Sequence, residues 1–181
     1  MSGVASIELP GWARVNERRR GHIERVTRLL LSWADALRVD DEERAAWRDA
    51  AVWHDALRDA PEHQLRGLAR QDHYPAAMLH GPAAAAVLEQ SGERRTDVLE
   101  AIRWHTLGHP AWSRTGRALY MADFLEPGRS FARADRAFLA RHVTQDFDGV
   151  FRQIVQRRML WKIGEGYELF PPTVALWNSV R

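Results

Sequence analysis

Apolar residues recur at intervals of three and four along almost the whole chain, and this spacing limits the possible folds more than any other feature. Side chains spaced in this way lie on one face of an α-helix, whereas a half-buried strand requires strict alternation of apolar and polar residues. No strand-like alternation stands out in the sequence. The pattern therefore predicts an all-α fold, a single bundle of helices.

Helix caps and helix breakers divide this pattern into segments. Asp40 or Asp41 is positioned to cap a helix that Pro61 ends, and Thr96 is positioned to cap another. The predicted helices span about 11–38, 40–59, 62–70, 81–90, 96–107, 113–125, 131–164 with a break near 146–149, and a short segment beginning at Pro171. No linker is long enough to separate two domains. We therefore expect one domain over 11–164, with a tail over 165–181 packed on it.

The composition excludes several classes of protein. The 181 residues include no cysteine, which rules out disulfides, thiolate nucleophiles and iron–sulfur clusters. The formal charge of +2 is too small to predict a nucleic-acid binder, and no segment has the roughly 18 uninterrupted apolar residues of a membrane helix. We therefore expect a cytoplasmic protein that binds neither nucleic acid nor membrane. Its oligomeric state does not follow from the sequence.

Several ionisable residues fall on the predicted inward faces of the helices. His22, for example, shares a stripe with Val26 and Trp33. A single inward histidine is usually a core residue bonded to a backbone carbonyl, but a set of six in one small core requires a common explanation. The six residues are His22, His54, Asp55, His80, His105 and Asp123.

A metal centre supplies that explanation, because burying an ionisable group is costly unless it is paired or binds a cation. Nitrogen and carboxylate ligands without thiolate suit iron, manganese, zinc, nickel or cobalt. Six protein ligands are too many for one ion that must leave a position open for substrate. They suit two divalent ions, and Asp55 is the natural bridge because it directly follows His54.

The order of these residues, including the pairs His54-Asp55 and His105-Thr106, resembles the HD-domain superfamily of metal-dependent phosphohydrolases. The segments AIRWHTLG at 101–108 and LYMADFLEPGRSF at 119–131 are similar to those of its YqeK-like branch, which cleaves diadenosine tetraphosphate symmetrically into two ADP. Arg19, three residues before His22, also resembles the opening motif of that branch. The likeness covers about 19–131.

This resemblance implies a single HD-domain helical bundle and a division of the ligands between two ions, with iron the expected occupant. One ion would be held by His22, His54, Asp55 and Asp123, and the other by Asp55, His80 and His105. A hydroxide between the ions would attack the polyphosphate. Asp55 and Arg58 would then be the catalytic residues, and the expected substrate-binding residues are Arg19, Arg58, Thr106, His109 and Arg129.

Arg58 marks a departure from the family pattern, which usually has HDxxK where this chain has His54-Asp55-Ala56-Leu57-Arg58. Arginine keeps the positive charge but cannot donate a proton at neutral pH. Two alternatives stay open at this point. The substrate could be a nucleoside monophosphate, a guanosine polyphosphate or a cyclic dinucleotide, or the chain could be a non-catalytic sensor of nucleotide or metal. Trp104 and Trp112 are aromatic residues that could stack on an adenine.

Overall fold

The computed structural model describes residues 7–70 and 73–180, and within these ranges it is built from α-helices, as the sequence predicts. A short 3-10 turn, Ala76–Met78, precedes the fourth helix. The helices are α1 (Glu17–Leu37), α2 (Asp41–Trp53), α3 (Glu62–Ala69), α4 (His80–Gln90), α5 (Thr96–Trp104), α6 (Arg114–Leu125), α7 (Arg133–His142), α8 (Phe147–Gly164) and α9 (Pro171–Val180).

The core lies between two groups of packed helices. Helix α1 packs against α2 and α6, while α4 packs against α3 and α5. Helices α2 and α5 also contact each other and thereby join the two groups. Large apolar side chains from these helices, including Leu30, Trp47, Ile102 and Leu119, are fully buried between them. Burial of this apolar surface is the main force that holds the helices together.

The start of α1 and the end of α2 differ from the predicted boundaries, because a cap or a series of turns replaces helical hydrogen bonds there. Helix α1 begins at Glu17 rather than near Gly11, because the Asn16 side chain caps it by accepting a hydrogen bond from the Arg19 backbone at 2.9 Å. Helix α2 ends at Trp53 rather than Asp59. Residues 54–59 instead form successive tight turns closed by hydrogen bonds between residues three apart.

Helix α5 also differs from the prediction at both ends. The N-cap position is Arg95, which makes no side-chain cap, so Thr96 is the first helical residue rather than the cap. The helix ends at Trp104, before Gly108, whose φ of +92° is the left-handed geometry that glycine adopts without strain. His105 therefore lies just beyond the end of a helix, as do His54 and Asp55 beyond the end of α2.

The last two helices fold back onto the rest of the chain. The break between α7 and α8 falls close to the predicted position, and the Asp146 side chain caps α8 by accepting from the Gly149 backbone at 2.9 Å. Helix α9 packs on α8, and its Thr173 hydroxyl donates to the Leu107 carbonyl at 2.7 Å. Arg181, the last residue of the predicted tail, lies outside the described residues. Among the helices described, none is long and apolar enough to cross a membrane.

Candidate metal centre

The six residues predicted to be metal ligands converge in the interior of the bundle. None of them is more than 8% exposed, and His54 is fully buried. They form two groups, and within each group one ligand atom from every residue lies within 4.8 Å of the others. One group is His22, His54 and Asp123, and the other is Asp55, His80 and His105. Five separate parts of the chain thus supply one compact set of nitrogen and oxygen atoms.

Asp55 lies between the two groups and presents one carboxylate oxygen to each. Its Oδ1 is 3.1 Å from the Nε2 of His80 and 3.4 Å from the Nε2 of His105. Its Oδ2 is 3.6 Å from the Nε2 of His22 and 3.7 Å from the Nε2 of His54. Asp123 adds a second carboxylate to the first group, with its Oδ1 3.2 Å from the Nε2 of His22. The Asp55 carboxylate, which lies between the two groups, could therefore bridge two cations.

The other ring nitrogen of each histidine faces a hydrogen-bond acceptor. The Nδ1 atoms of His54, His80 and His105 lie 2.7 to 3.1 Å from the backbone carbonyl three residues earlier in the chain. The Nδ1 of His22 lies 3.2 Å from a carboxylate oxygen of Glu126. Carbonyl and carboxylate oxygens only accept hydrogen bonds, so in the neutral imidazoles Nδ1 holds the proton and Nε2 is left with a lone pair.

These lone pairs face one another across the centre. The Nε2 atoms of His80 and His105 are 2.9 Å apart, and those of His22 and His54 are 3.4 Å apart. Two unprotonated nitrogens at this distance cannot form a hydrogen bond, but both can bind the same cation. Nitrogen and carboxylate donors without sulfur suit a divalent transition metal. The donor set therefore fits a metal centre.

Burial and charge keep four of the donors in the forms that a metal requires, while His22 differs. Burial lowers the pKa of His22, but its hydrogen bonds with Asp123 and Glu126 outweigh burial and raise the pKa. Burial lowers the pKa of His54 to about 4, and it also lowers the pKa of His80, so both rings are neutral at pH 7. Burial opposes ionisation of Asp55, but His54, His105 and His80 outweigh it and hold the pKa of Asp55 well below its usual value. For Asp123, the Arg129 charge and the His22 hydrogen bond outweigh burial, with the same result for its pKa.

Glu126 is an important member of the site that the sequence reasoning did not single out. Its Oε1 holds Nδ1 of His22, while its Oε2 accepts from Arg25 Nε at 2.6 Å and from the Gly128 backbone at 2.7 Å. The residue is only 2% exposed. It lies three residues after Asp123, directly beyond α6. Its place in the segment 119–131, which also contains Asp123, is the sequence feature that could have identified it. Through its contact with Nδ1, Glu126 fixes the orientation of the His22 ring, whose Nε2 faces the centre.

Arginines surround the two carboxylates of the centre. Arg19 contacts Asp55 Oδ2 at 2.6 Å, and Arg129 contacts Asp123 Oδ1 at 2.5 Å and the Asp123 carbonyl at 2.8 Å. Arg158 of α8 approaches Asp123 Oδ2 at 3.5 Å and lies 4.2 Å above the Tyr120 ring. The sequence singled out the first two as substrate-binding residues. It gave no signal for Arg158, because α8 carries none of the recognised motifs.

The remaining predicted substrate-binding residues differ in their surroundings. The Arg58 guanidinium has no hydrogen bond or ion pair with any described residue, and its charge contributes to the lowered pKa of His80. The Thr106 hydroxyl lies 3.2 Å from the Nε2 of His105 and is thus at the centre. His109 instead stacks on Trp104 and accepts a hydrogen bond from the Ala111 backbone. Those two contacts of His109 involve none of the candidate ligands.

A cleft of about 630 Å³ opens beside the first group of ligands. Four arginines and only two acidic residues line it, so a polyanion would be attracted into it. His22 also lines this cleft, which connects it to the metal centre. The lining residues are Asn16, Arg18, Arg19, His22, Arg25, Asp59, Glu126, Gly128, Arg129, Ser130 and Phe131.

The second group of ligands depends on a close approach of α4 to the end of α5. A Cβ atom added at Gly81 would lie 2.6 Å from the Ile102 carbonyl oxygen and 3.1 Å from Cε1 of His105. Atoms this close cannot be accommodated without movement of the backbone. Gly81 directly follows His80, so the missing side chain is what allows His80 and His105 to meet.

Comparison with known proteins agrees with this geometry. A family model described as "HD domain" matches residues 19–138. Two relatives carry the name "Bis(5'-nucleosyl)-tetraphosphatase, symmetrical". The protein of Bacillus subtilis is 24% identical over 91% of this chain and 90% of its own length, and that of Staphylococcus aureus is 25% identical over 91% and 88%. A third protein of this name, from Halalkalibacterium halodurans, is 27% identical over 72% of this chain and 73% of its own.

A solved structure has the same fold. It is described as a predicted HD superfamily hydrolase involved in NAD metabolism from Clostridium acetobutylicum, and it superposes with a TM-score of 0.78 at 24% identity. The likeness covers 92% of this chain and 90% of the other. The resemblance drawn from the ordered histidines and aspartates is confirmed, and both groups of residues could hold a metal ion. The chain belongs to the HD domain family.

Proposed function

We propose that this protein is a hydrolase that cleaves diadenosine tetraphosphate symmetrically into two ADP. The observation that carries the proposal is the position of Asp55, whose two oxygens face separate groups of histidine nitrogens beside an arginine-lined cleft. The names of the three relatives support the choice of substrate. We further propose that the centre holds two ions, that iron is the usual occupant, and that manganese, cobalt, nickel or zinc can replace it.

The division of the ligands follows the two groups in the structure. His22, His54 and Asp123 would hold one ion, His80 and His105 the other, and Asp55 would serve both. The chemistry that two divalent cations supply when bound is a lowered pKa for water and neutralisation of phosphate charge. In their neutral forms His54, His80 and His105 hold their protons at Nδ1, away from the centre. Their Nε2 atoms therefore need no proton loss before binding a cation.

The arginines of the site would hold the polyphosphate. Arg58 has no competing partner within the described residues and lies close enough to His80 to affect its pKa, so we assign it to a phosphate next to the centre. Because arginine stays protonated at working pH, Arg58 would stabilise negative charge rather than transfer a proton. Arg19 and Arg129 would orient Asp55 and Asp123 while directing their remaining N–H groups towards the substrate. Thr106 would donate to a phosphate oxygen at the second group of ligands.

Analysis of the reaction products tests this proposal. Purified protein should convert diadenosine tetraphosphate into ADP alone, as resolved by ion-exchange chromatography. AMP together with ATP would contradict symmetrical cleavage. Parallel assays with nucleoside monophosphates, guanosine tetraphosphate and cyclic dinucleotides should give slower turnover, and faster turnover of any of these would reassign the substrate. No hydrolysis of any of them by metal-loaded protein would favour the alternative of a non-catalytic sensor.

Two further measurements address the metal and the location of the protein. Elemental analysis of protein prepared without a metal-affinity tag should find close to two ions per chain, with iron predominant. One ion per chain would contradict the shared role of Asp55. We also propose that the protein acts in the cytoplasm, which cell fractionation would test.

A further inference from the structure

An exposed phenylalanine forms part of the wall of the arginine-lined cleft. Phe131 is 49% exposed and lines the same cleft as His22 and Arg129. Among the described residues that line this cleft, it is the only phenylalanine, tyrosine or tryptophan. Its half-exposed ring therefore offers a flat apolar surface next to several positive charges.

The ring of Phe131 is held in a fixed position. The Arg136 guanidinium lies 4.9 Å from the centre of the ring, and Phe124 meets it at 5.7 Å and an angle of 60°. Arg136 is itself 2% exposed and donates to the carbonyls of Phe124 at 2.8 Å, Arg129 at 2.9 Å and Phe131 at 3.2 Å. The buried Arg136 therefore holds the segment that carries Phe131, and Phe131 itself lines the cleft.

We infer that Phe131 is the platform on which a purine base of the bound nucleotide stacks. This inference rests on the proposed function, since it requires a substrate that carries bases as well as phosphates. A nucleotide combines negative phosphates with a flat ring, and the cleft combines arginines with a flat ring. Arg129, which contacts Asp123, lies two residues before Phe131. Phosphates near the metal centre would thus place an attached base at Phe131.

The tryptophans that the sequence offered for this role are already engaged. Trp112 is 5% exposed, and its indole N–H donates to the Glu100 carbonyl at 3.1 Å. Trp104 stacks on His109 at 5.6 Å and donates to the Glu100 carboxylate at 2.9 Å. Neither lines the cleft. Phe131 has an unpacked surface and a position in the cleft, which together make it the better platform.

The test compares a ligand that has a base with one that has none. Calorimetric titration of the metal-loaded full-length protein with ADP and with inorganic pyrophosphate would be repeated for F131A, F131W and F138A. Phe138 is the matched control because it is 53% exposed but lies on α7, outside the cleft lining. F131A should weaken ADP binding about tenfold or more and leave pyrophosphate binding within about twofold, which is the size expected for loss of one base stack. F131W should keep or improve ADP binding, and F138A should match the wild type for both ligands.

Three results would overturn the inference. Unchanged ADP binding by F131A would show that the base does not stack there, and an equal loss for ADP and pyrophosphate would show a structural effect instead. Weakening by F138A as large as that by F131A would show that any exposed phenylalanine has this effect. Failure of the proposed function is a separate outcome. It would appear as products other than ADP from diadenosine tetraphosphate, whatever the ratio of ADP to pyrophosphate binding.

Discussion

Two clusters of charged residues in this protein are built from similar residues but differ in whether their hydrogen-bond donors and acceptors are matched. One is a surface cluster of Asp49, Glu93 and Arg95. There, Arg95 donates to Asp49 at 2.8 Å and to Glu93 at 2.6 Å. Glu93 also accepts from the backbone N–H groups of residues 94 and 95 at 2.9 Å. Donors and acceptors are matched, so this cluster needs no further ligand.

The buried centre lacks this balance. Arg19 and Arg129 satisfy part of Asp55 and Asp123, but the Nε2 atoms of His54, His80 and His105 point inward while their Nδ1 atoms face backbone carbonyls. The centre therefore has more acceptors than donors in a region from which water is largely excluded. The comparison teaches that charge alone does not indicate function. An excess of acceptors inside the protein is what indicates a bound cation.

The largest expected effect comes from removing the shared carboxylate. Asp55→Ala should reduce both bound metal and turnover, with kcat falling at least about a thousandfold, because the metals contribute several kcal/mol to the transition state. Elemental analysis and product chromatography measure the two effects. Asp49→Ala in the surface cluster is the matched control and should keep full metal content. Full activity in the Asp55 variant would remove this residue from the centre.

A smaller effect is expected from the residue behind His22. Glu126→Gln removes the negative charge that holds the ring through Nδ1, while most of the side-chain volume is kept. Metal affinity or activity should fall about 10- to 100-fold, the usual range for a partner of a metal-binding histidine. Titration of the metal-free protein with Mn²⁺ measures the affinity. Wild-type affinity in this variant would show that the carbonyl-held histidines are sufficient.

Replacement of Arg58 tests a group that should bind substrate but not metal. Arg58→Gln should lower kcat/KM about 10- to 100-fold, because a hydrogen bond to a charged group is lost, and leave metal content unchanged. Arg58→Lys restores the residue usual in the family and should recover most of the activity if positive charge is the main requirement. If the lysine variant is as poor as the glutamine variant, the planar fork of arginine is needed.

The smallest effect is expected in the surface cluster and concerns stability alone. Hydrogen bonds from Arg95 are the main cause that lowers the pKa of Glu93 to about 2. Because the folded pKa lies below the usual 4.5, this interaction stabilises the protein above pH 4.5 and is lost as the pH falls towards 2. Glu93→Gln should reduce the free energy of unfolding by roughly 1 kcal/mol at pH 7, since solvent screens the pair.

Urea unfolding of the metal-free protein at several pH values measures this difference. The gap between wild type and the Glu93 variant should narrow as the pH is lowered below 4.5. Metal content and turnover of the variant at pH 7 should equal those of the wild type. A loss of bound metal would mean that the surface cluster and the centre are coupled, and the contrast between them would fail.

The sequence predicted the candidate ligands better than the parts that orient them. His22 and Asp123 fall at positions that helical periodicity assigns to buried faces, so their convergence follows from the pattern. Glu126 lies just past the end of α6, where periodicity no longer says which way a side chain points. Arg158, which contacts Asp123, lies 35 residues further along the chain in α8, and one arginine among many gives no local signal.

The helix ends near the centre were also beyond the reach of the pattern. Residues 54–59 keep a helix-like distribution of apolar side chains, but their backbone forms tight turns. The backbone of Arg14 helps to hold these turns. Its N–H donates to the Ala56 carbonyl at 2.7 Å, and its carbonyl accepts from the Asp59 N–H at 3.1 Å. Contacts between distant segments decide such geometry, and propensity along a single helix does not contain them.

The absence of a side chain at Gly81 determines how closely α4 approaches the end of α5. The contact between α4 and the end of α5 is one of backbone against backbone, so its width is fixed by covalent geometry rather than by adjustable side chains. An added methyl group would act as a wedge and would separate His80 from His105 while Asp55 stayed in place. The distance between His80 and His105 therefore depends on the absence of a Cβ atom at residue 81. If a side chain at this position forced the two backbones apart, substitutions at His80 or His105 could not restore that distance.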